Sequence, residues 1–347
     1  MKLNKGLLVC LLLLSFFASR IEGGFTMHNG RIVDVCEVPT MSVEEHFAAG
    51  AKALEAGDWN ESVFHFKIIT FNFPDTPYGQ EAYYYLGISY YYLEEYDFAN
   101  TAFSDYLQGQ TNVNYFQEAI LYKFAIAGHL AGGAKRRFFS TKHLPKLACG
   151  KKLAVEIYDE LIATVPCHDI AAESLIAKGC LLWEGREYRP AVESFQMVIR
   201  RFPQHELSPD CYVYISKLYL EQSYYEFQNP DILAFALINL GRFTRDYPRE
   251  ERLYEVKADV EAIEEIYAAG FYNTGLFYER VRKPRAAMIY YQEAIFQFPD
   301  TCIAEKCMER LNYLDPNFIL PGVSEVMEES MGEEAIEGSC IPLEFEE

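Results

Sequence analysis

Tryptophan is nearly absent from this 347-residue sequence, with two residues, and cations are scarce: 31 Lys and Arg stand against 51 Asp and Glu, for a formal charge of −20. So acidic a chain disfavours nucleic acid, which is bound by basic patches, and disfavours electrostatic attachment to anionic lipid. No HExxH pair occurs, and the seven histidines are scattered at positions 28, 46, 65, 129, 143, 168 and 205, so no metal is expected. No CxxC pair occurs among the nine cysteines. The longest apolar run, residues 6–18, has 13 residues, too few for a comfortable membrane span. Residues 128–135 resemble a phosphate loop only loosely, because Ala134 stands before Lys135 and the context is helical rather than a strand. Nothing in this inventory points to catalysis or to a cofactor, and the chain reads as a non-enzyme.

What the sequence does have is a repeat. Take Gly87 as an origin: Tyr90 lies three residues on, Ala99 twelve on and Phe103 sixteen on. The same ruler from Gly50 gives Ala53, Ser62, Phe66 and, twenty-four on, Pro74. From Gly179 it gives Leu182, Ala191, Phe195 and Pro203; from Gly275 it gives Tyr278, Ala287, Tyr291 and Pro299. Thr111 alone replaces the last proline. The physical reason is close packing of a helical hairpin. The glycine in the first helix lets the second helix approach, a small residue meets it, and the aromatic fills the layer beside that contact. The proline ends the second helix. Such a period predicts an all-α, right-handed superhelix of about six helical hairpins plus a capping helix.

In chain order, residues 1–24 read as a secretory signal: Lys2 and Lys5 precede the apolar run, and cleavage is ambiguous near Ala18 or Gly23 and Gly24. Cys10 lies inside the run rather than after it, so no lipid anchor is evident. Export permits disulfides; Cys36, Cys149 and Cys340 are the candidates for pairing, whereas Cys180 and Cys211 read as helix-packing residues. Residues 25–41 read as an irregular lead-in. Ser42 with Glu45 is a capping box opening the first helix. The repeat region is 42–314, with an insertion at 131–150 interrupting the third unit, an extended first helix at about 251–279, and a solitary last helix at 301–314. From 315 to 347 there are ten acidic residues and no Lys or Arg, which reads as a disordered tail.

Two surfaces are candidates for binding protein partners. The first is the inner face, lined by side chains six and three residues before the ruler glycine and one and four after it. These are Glu44, Phe47, Ala51 and Leu54 in the first unit, Glu81, Tyr84, Ile88 and Tyr91 in the second, and Glu173, Ile176, Cys180 and Trp183 in the fourth. Aromatic and aliphatic groups with a few acids suit an extended peptide. The second is a basic island in and after the insertion, Lys135, Arg136, Arg137, Lys142, Lys146, Lys151 and Lys152, with Phe138 and Phe139 beside it; it suits an acidic partner or a membrane surface.

The ruler resembles that of tetratricopeptide repeats. The endings Phe73-Pro74-Asp75-Thr76, Phe202-Pro203-Gln204-His205, Tyr247-Pro248 and Phe298-Pro299-Asp300-Thr301, together with residues 82–87 (AYYYLG) and the interrupted third repeat, resemble the BamD (YfiO) family over residues 42–314. The resemblance implies a non-enzymatic part of outer-membrane β-barrel assembly on the periplasmic face of that membrane. Phe47, Tyr84, Ile88 and Tyr91 are then expected to meet barrel precursors, and the fifth and sixth units a POTRA-type partner. Such endings also occur in periplasmic repeat proteins of the CpoB (YbgF) kind, which implies the alternative of an adaptor in peptidoglycan remodelling or secretion. The chain departs from the family in lacking an evident lipobox and in carrying six units and an acidic tail.

Overall fold

The structure, a computed structural model, describes residues 25–28, 31–34, 38–108, 114–137, 145–226 and 229–316. The expected signal, Cys36, Cys340, Phe138, Phe139, Lys142 and nearly all of the acidic tail lie outside the described residues. Contacts divide the chain into two compact units, residues 1–181 and 182–347.

The first unit contains helices α1 (Val43–Ala56), α2 (Trp59–Asn72), α3 (Pro77–Tyr92), α4 (Tyr96–Gln108), α5 (Phe116–Ala131) and α6 (Lys151–Thr164). Helix α7 (Asp169–Glu184) carries the boundary. The second unit contains α8 (Tyr188–Arg201), α9 (Ser208–Tyr225), α10 (Pro230–Asp246), α11 (Leu253–Arg280), α12 (Pro284–Gln297) and α13 (Cys302–Leu314). Within each unit a helix packs on its successor, and the first helices of neighbouring hairpins also touch: α1 on α3, α3 on α5, α9 on α11 and α11 on α13. The all-α hairpin expectation holds.

The ruler is visible as atoms. A Cβ placed on Gly50 would lie 3.1 Å from the Phe66 ring, one on Gly87 would lie 2.8 Å from Phe103, and one on Gly275 would lie 2.4 Å from Tyr291. Each is the contact between the origin and position sixteen. The small residues at position twelve, Ser62, Ala99, Ala191 and Ala287, are fully buried. Burying rings such as Phe66, Phe103 and Tyr291 stabilises the fold by about 2–3 kcal/mol each.

The hairpin turns follow the same ruler at position seven, which the sequence reading missed. Gly57, Glu94, Arg186 and Arg282 all take left-handed backbone, with φ of 76°, 58°, 60° and 59°. In each turn the left-handed residue donates its N–H three residues back and the next residue donates five back, as in Gly57 N to Leu54 O and Asp58 N to Ala53 O. This is the Schellman closure of a helix C-terminus. It recurs as Glu94 N to Tyr91 O with Glu95 N to Tyr90 O, and as Arg282 N to Glu279 O with Lys283 N to Tyr278 O.

The Phe-Pro-Asp-Thr endings also have a mechanism. Thr76 Oγ1 donates to Phe73 O at the end of α2 and accepts from Gly79 N at the start of α3, at 2.8 and 3.0 Å. Thr301 does the same between Phe298 O and Ala304 N, at 2.8 and 3.2 Å. One hydroxyl thus closes one helix and caps the next. The Ser42–Glu45 capping box is present in both directions.

Two stretches differ from expectation. Where an irregular lead-in was expected, β1 (Phe25–His28) and β2 (Arg31–Asp34) pair antiparallel. The insertion is not merely a loop: β3 (Lys135–Arg137) pairs antiparallel with β4 (Lys146–Cys149), with an irregularity between Arg136 and Arg137.

Candidate interaction surfaces

In the first unit, the ends of the hairpins bring together a strip of aromatic rings. Trp59, the first residue of α2, stacks on Tyr92 at the end of α3, with ring centroids 4.3 Å apart and planes within 12°. Tyr91 meets Tyr92 edge-on at 5.6 Å and Tyr122 of α5 at 5.2 Å. Tyr91 Oη and His129 Nε2 are hydrogen-bonded at 3.2 Å, and His129 stacks on Tyr96 at 5.0 Å. Behind the strip, Tyr122 stacks on the buried Phe103 at 5.3 Å, which ties the strip to the core. Burial pushes the Tyr122 hydroxyl above its ordinary pKa, with the neighbouring Tyr92 adding to the shift, so Tyr122 keeps its proton. The outer side is open: Tyr92 is 51% exposed and Leu121 of α5 is 55% exposed. Gly128, also on α5, has nothing within 4 Å of where a Cβ would stand.

Of the expected inner-face residues, Tyr91 lies in this strip. Tyr84 and Ile88 do not line a groove. Tyr84 is 6% exposed and stacks on Tyr115 at 4.5 Å, with Tyr106 at 5.4 Å; Ile88 is 9% exposed in the same core cluster. The reason is that α3 has helices on several sides, α1, α2, α4 and α5, so the side assigned to a partner is covered by the chain itself. Phe47 is half-buried, its ring set against Phe66, Tyr78 and Tyr85 at 5.2–5.8 Å. Leu54 is half-buried and bridges two core clusters, and Ile176 is half-buried on α7. Trp183 donates Nε1–H to Glu221 Oε2 at 2.6 Å, while Tyr188 donates to the other oxygen of that carboxylate at 3.1 Å. Its indole N–H is therefore already used within the second unit.

Two cations of the basic island, Arg137 and Lys146, are engaged within the chain. Arg137 grips Glu95 bidentately, Nε to Oε2 at 2.9 Å and Nη2 to Oε1 at 2.6 Å. Lys146 adds an ion pair to Glu95 at 3.3 Å and donates to Glu94 O at 2.9 Å. Burial would raise the Glu95 carboxyl, but the two cations outweigh it and hold it below the usual carboxylate range. The β3–β4 hairpin is thus pinned to the α3–α4 turn, and Arg137 is a structural clamp rather than a docking cation. Arg136 is half-buried, its Nε enclosed without an acceptor among the described residues.

In the second unit, Tyr224 at the end of α9 and Ile266, Gly270, Asn273 and Phe277 on α11 line a groove of about 490 Å³. Tyr224 and Phe277 are both exposed there. The sequence reading missed Trp59, Tyr92, Tyr122, His129, Tyr224 and Phe277. The signal that could have found the first two is their position at hairpin ends, where a ring cannot be covered by the next layer.

Among the described residues, no group of three or more His, Cys, Asp or Glu is arranged to hold a metal ion, and no helix is long and apolar enough to cross a membrane. Among the described residues Cys149 pairs with no other cysteine, and it is exposed.

No protein-family model matches the chain, and no curated protein matches it. Solved structures of repeat proteins are similar to it. A TPR repeats protein of Bacteroides fragilis NCTC 9343 is 12% identical, covering 80% of this chain and 100% of its own, with a TM-score of 0.39. A tetratricopeptide repeat protein of Parabacteroides merdae ATCC 43184 is 15% identical, covering 78% and 98%, with a TM-score of 0.33. The TPR domain of P58(IPK) is 13% identical, covering 84% of each chain, with a TM-score of 0.29.

Proposed function

We propose that the chain is a non-enzymatic scaffold that holds an extended polypeptide on the aromatic strip of its first unit, and that it serves outer-membrane β-barrel assembly at the periplasmic face of that membrane. The observation that carries the binding reading is the Trp59–Tyr92 stack, an open aromatic pair at the edge of the strip. Tyrosine and tryptophan offer large apolar faces with a polar handle and little entropy to lose. An unfolded barrel strand, with alternating apolar side chains and aromatic ends, is a complementary ligand. The groove between Tyr224 and Phe277 is the surface assigned to a POTRA-type partner. The assembly reading itself is supported by the Phe-Pro-x-Thr endings and residues 82–87 of the sequence.

The two tryptophans make a direct test. In a Trp183→Phe chain, Trp59 is the sole tryptophan. Titration with a urea-unfolded outer-membrane barrel protein, diluted into buffer, is expected to shift Trp59 emission saturably, and Tyr92→Ala is expected to abolish the saturable change. Equal binding by the Tyr92→Ala chain, followed by anisotropy of a labelled precursor, would refute the strip as the site. A strip that binds aromatic peptides but not barrel precursors would overturn the assembly reading alone.

A further inference from the structure

A second groove lies on the opposite kind of surface, between second helices rather than first ones. Arg200 and Ile199 of α8 and Phe235, Ile238 and Arg242 of α10 line a cavity of about 250 Å³ floored by Tyr212 and Tyr219 of α9. In a chain with 51 acidic residues, its lining holds two arginines and no carboxylate. Arg200 spends one donor, Nε, on Gln196 O at 3.3 Å; Arg242 makes no ion pair among the described residues. Phe235 and Ile238 are each about half-exposed, although their helix has a buried face of its own in Ile232, Ala236, Asn239 and Phe243. The walls are firm. Asn239 Nδ2 donates to Tyr212 O at 2.9 Å, and Tyr212 donates to Asp246 at 2.7 Å.

We propose that this groove is the docking site for the chain's own acidic segment, residues 317–347. That segment carries nine glutamates and no Lys or Arg. Near its end Ile341, Leu343 and Phe345 alternate with Pro342, Glu344 and Glu346. In an extended chain this alternation puts apolar groups on one side and carboxylates on the other. The groove needs the same pair of chemistries: an apolar side chain for the cavity, and carboxylates for guanidinium groups on its two walls. Reach is sufficient. The described chain stops just after α13, which packs on α11, which packs on α10. Those steps are about 10 Å each, while 31 residues of extended chain reach up to about 100 Å. The segment then occupies the groove in cis, and an acidic–apolar partner segment has to displace it.

The test uses the full chain with p-benzoylphenylalanine in place of Phe345. Irradiation of the monomer is expected to link that residue to peptides from 196–201 or 234–242. Arg242→Glu is expected to abolish the link, and Glu344→Lys with Glu346→Lys is expected to do the same. Combining Arg242→Glu with Glu346→Lys should restore it. Links to other regions, no link, links only between chains, or links indifferent to these charge reversals would each overturn the proposal.

Discussion

Adding one methyl group at each of three helix glycines separates the packing explanation of the repeat from a merely statistical one. Gly275, Gly87 and Gly128 all lie within helices, so alanine gains about 1 kcal/mol of helix propensity at each. What differs is the space. At Gly128 the new Cβ meets nothing within 4 Å, and the gain stands: Gly128→Ala is expected to stabilise by about 0.5–1 kcal/mol. At Gly87 the Cβ falls 2.8–2.9 Å from three ring atoms of Phe103. Comfortable carbon contacts begin near 3.5 Å, so the ring has to retreat by about 0.6 Å. It has nowhere to go, being fully buried with Tyr122 stacked behind it and Tyr84 at its edge. Overpacking of this kind costs about 1–3 kcal/mol, which exceeds the propensity gain. At Gly275 the approach to Tyr291 is closer, 2.4 Å, and the ring is held by the hydrogen bond from its hydroxyl to Glu279 at 2.6 Å. Gly275→Ala is therefore expected to be the most destabilising of the three. Urea unfolding monitored by circular dichroism reads the order directly, because about 2 kcal/mol moves the midpoint by roughly 1 M. Phe103→Leu should relieve part of the Gly87→Ala loss as a coupled pair. Movement of all three variants in the same direction would refute the close-packing account of the ruler.

Other expectations follow from buried polar groups and from the turns. His46 and His65 face each other with Nδ1 atoms 3.0 Å apart, both buried. Burial, and then His65, hold the His46 pKa below its ordinary 6.5, so the unfolded chain binds a proton that the folded chain refuses. Stability is then full above pH 6.5 and lost as pH falls below it, and His46→Gln should flatten that dependence in melts between pH 7.5 and 5.5. Lys123 is fully buried, paired with Glu160 at 2.6 Å and donating to Ser104 Oγ at 2.6 Å. Glu160→Ala, which strands the ammonium, should destabilise by about 3 kcal/mol, while Lys123→Met should stay within about 1 kcal/mol of the parent in the same urea assay. Arg137→Ala combined with Lys146→Ala should free the β3–β4 hairpin from the α3–α4 turn, seen as faster hydrogen exchange at residues 146–149 with little change in the helices. Arg282→Gly should stabilise by about 0.5–1 kcal/mol in thermal melts, because its φ of 59° suits glycine.

The helical hairpins were legible because the ruler records contacts between residues sixteen apart, and such contacts lie within one hairpin. Gly87 and Phe103, or Gly275 and Tyr291, are brought together by local geometry alone. The binding face was less legible because it depends on what covers a helix from the neighbouring hairpins. Tyr84 and Tyr91 look equivalent along α3, yet Tyr115, just before α5, covers the first, while the second sits where the hairpins end. The insertion was misread for a related reason. Its cations look free in sequence, but Glu95, forty-two residues before Arg137, meets them at the α3–α4 turn.

The glycines then sort themselves by purpose, and the sorting points back to function. Gly50, Gly87 and Gly275 on the ruler have an aromatic ring within 3.1 Å of the absent Cβ, so internal packing explains them. Gly128 and Gly241 are helical, off the ruler and without any neighbour within 4 Å, so internal packing does not. Gly128 lies on α5 next to His129 of the aromatic strip. The helix gives up about 1 kcal/mol there, and a side-chain-free patch of backbone is what a second chain needs to lie close. The strip and the basic groove differ in charge. The strip offers neutral rings, suited to an apolar extended client, and the groove offers guanidinium groups, suited to carboxylates. Gly128→Leu should therefore weaken precursor binding without touching the tail crosslink, and Arg242→Glu should do the reverse. Loss of both activities in either variant would mean that the substitutions act through the fold, and a melting curve shifted downward would show it.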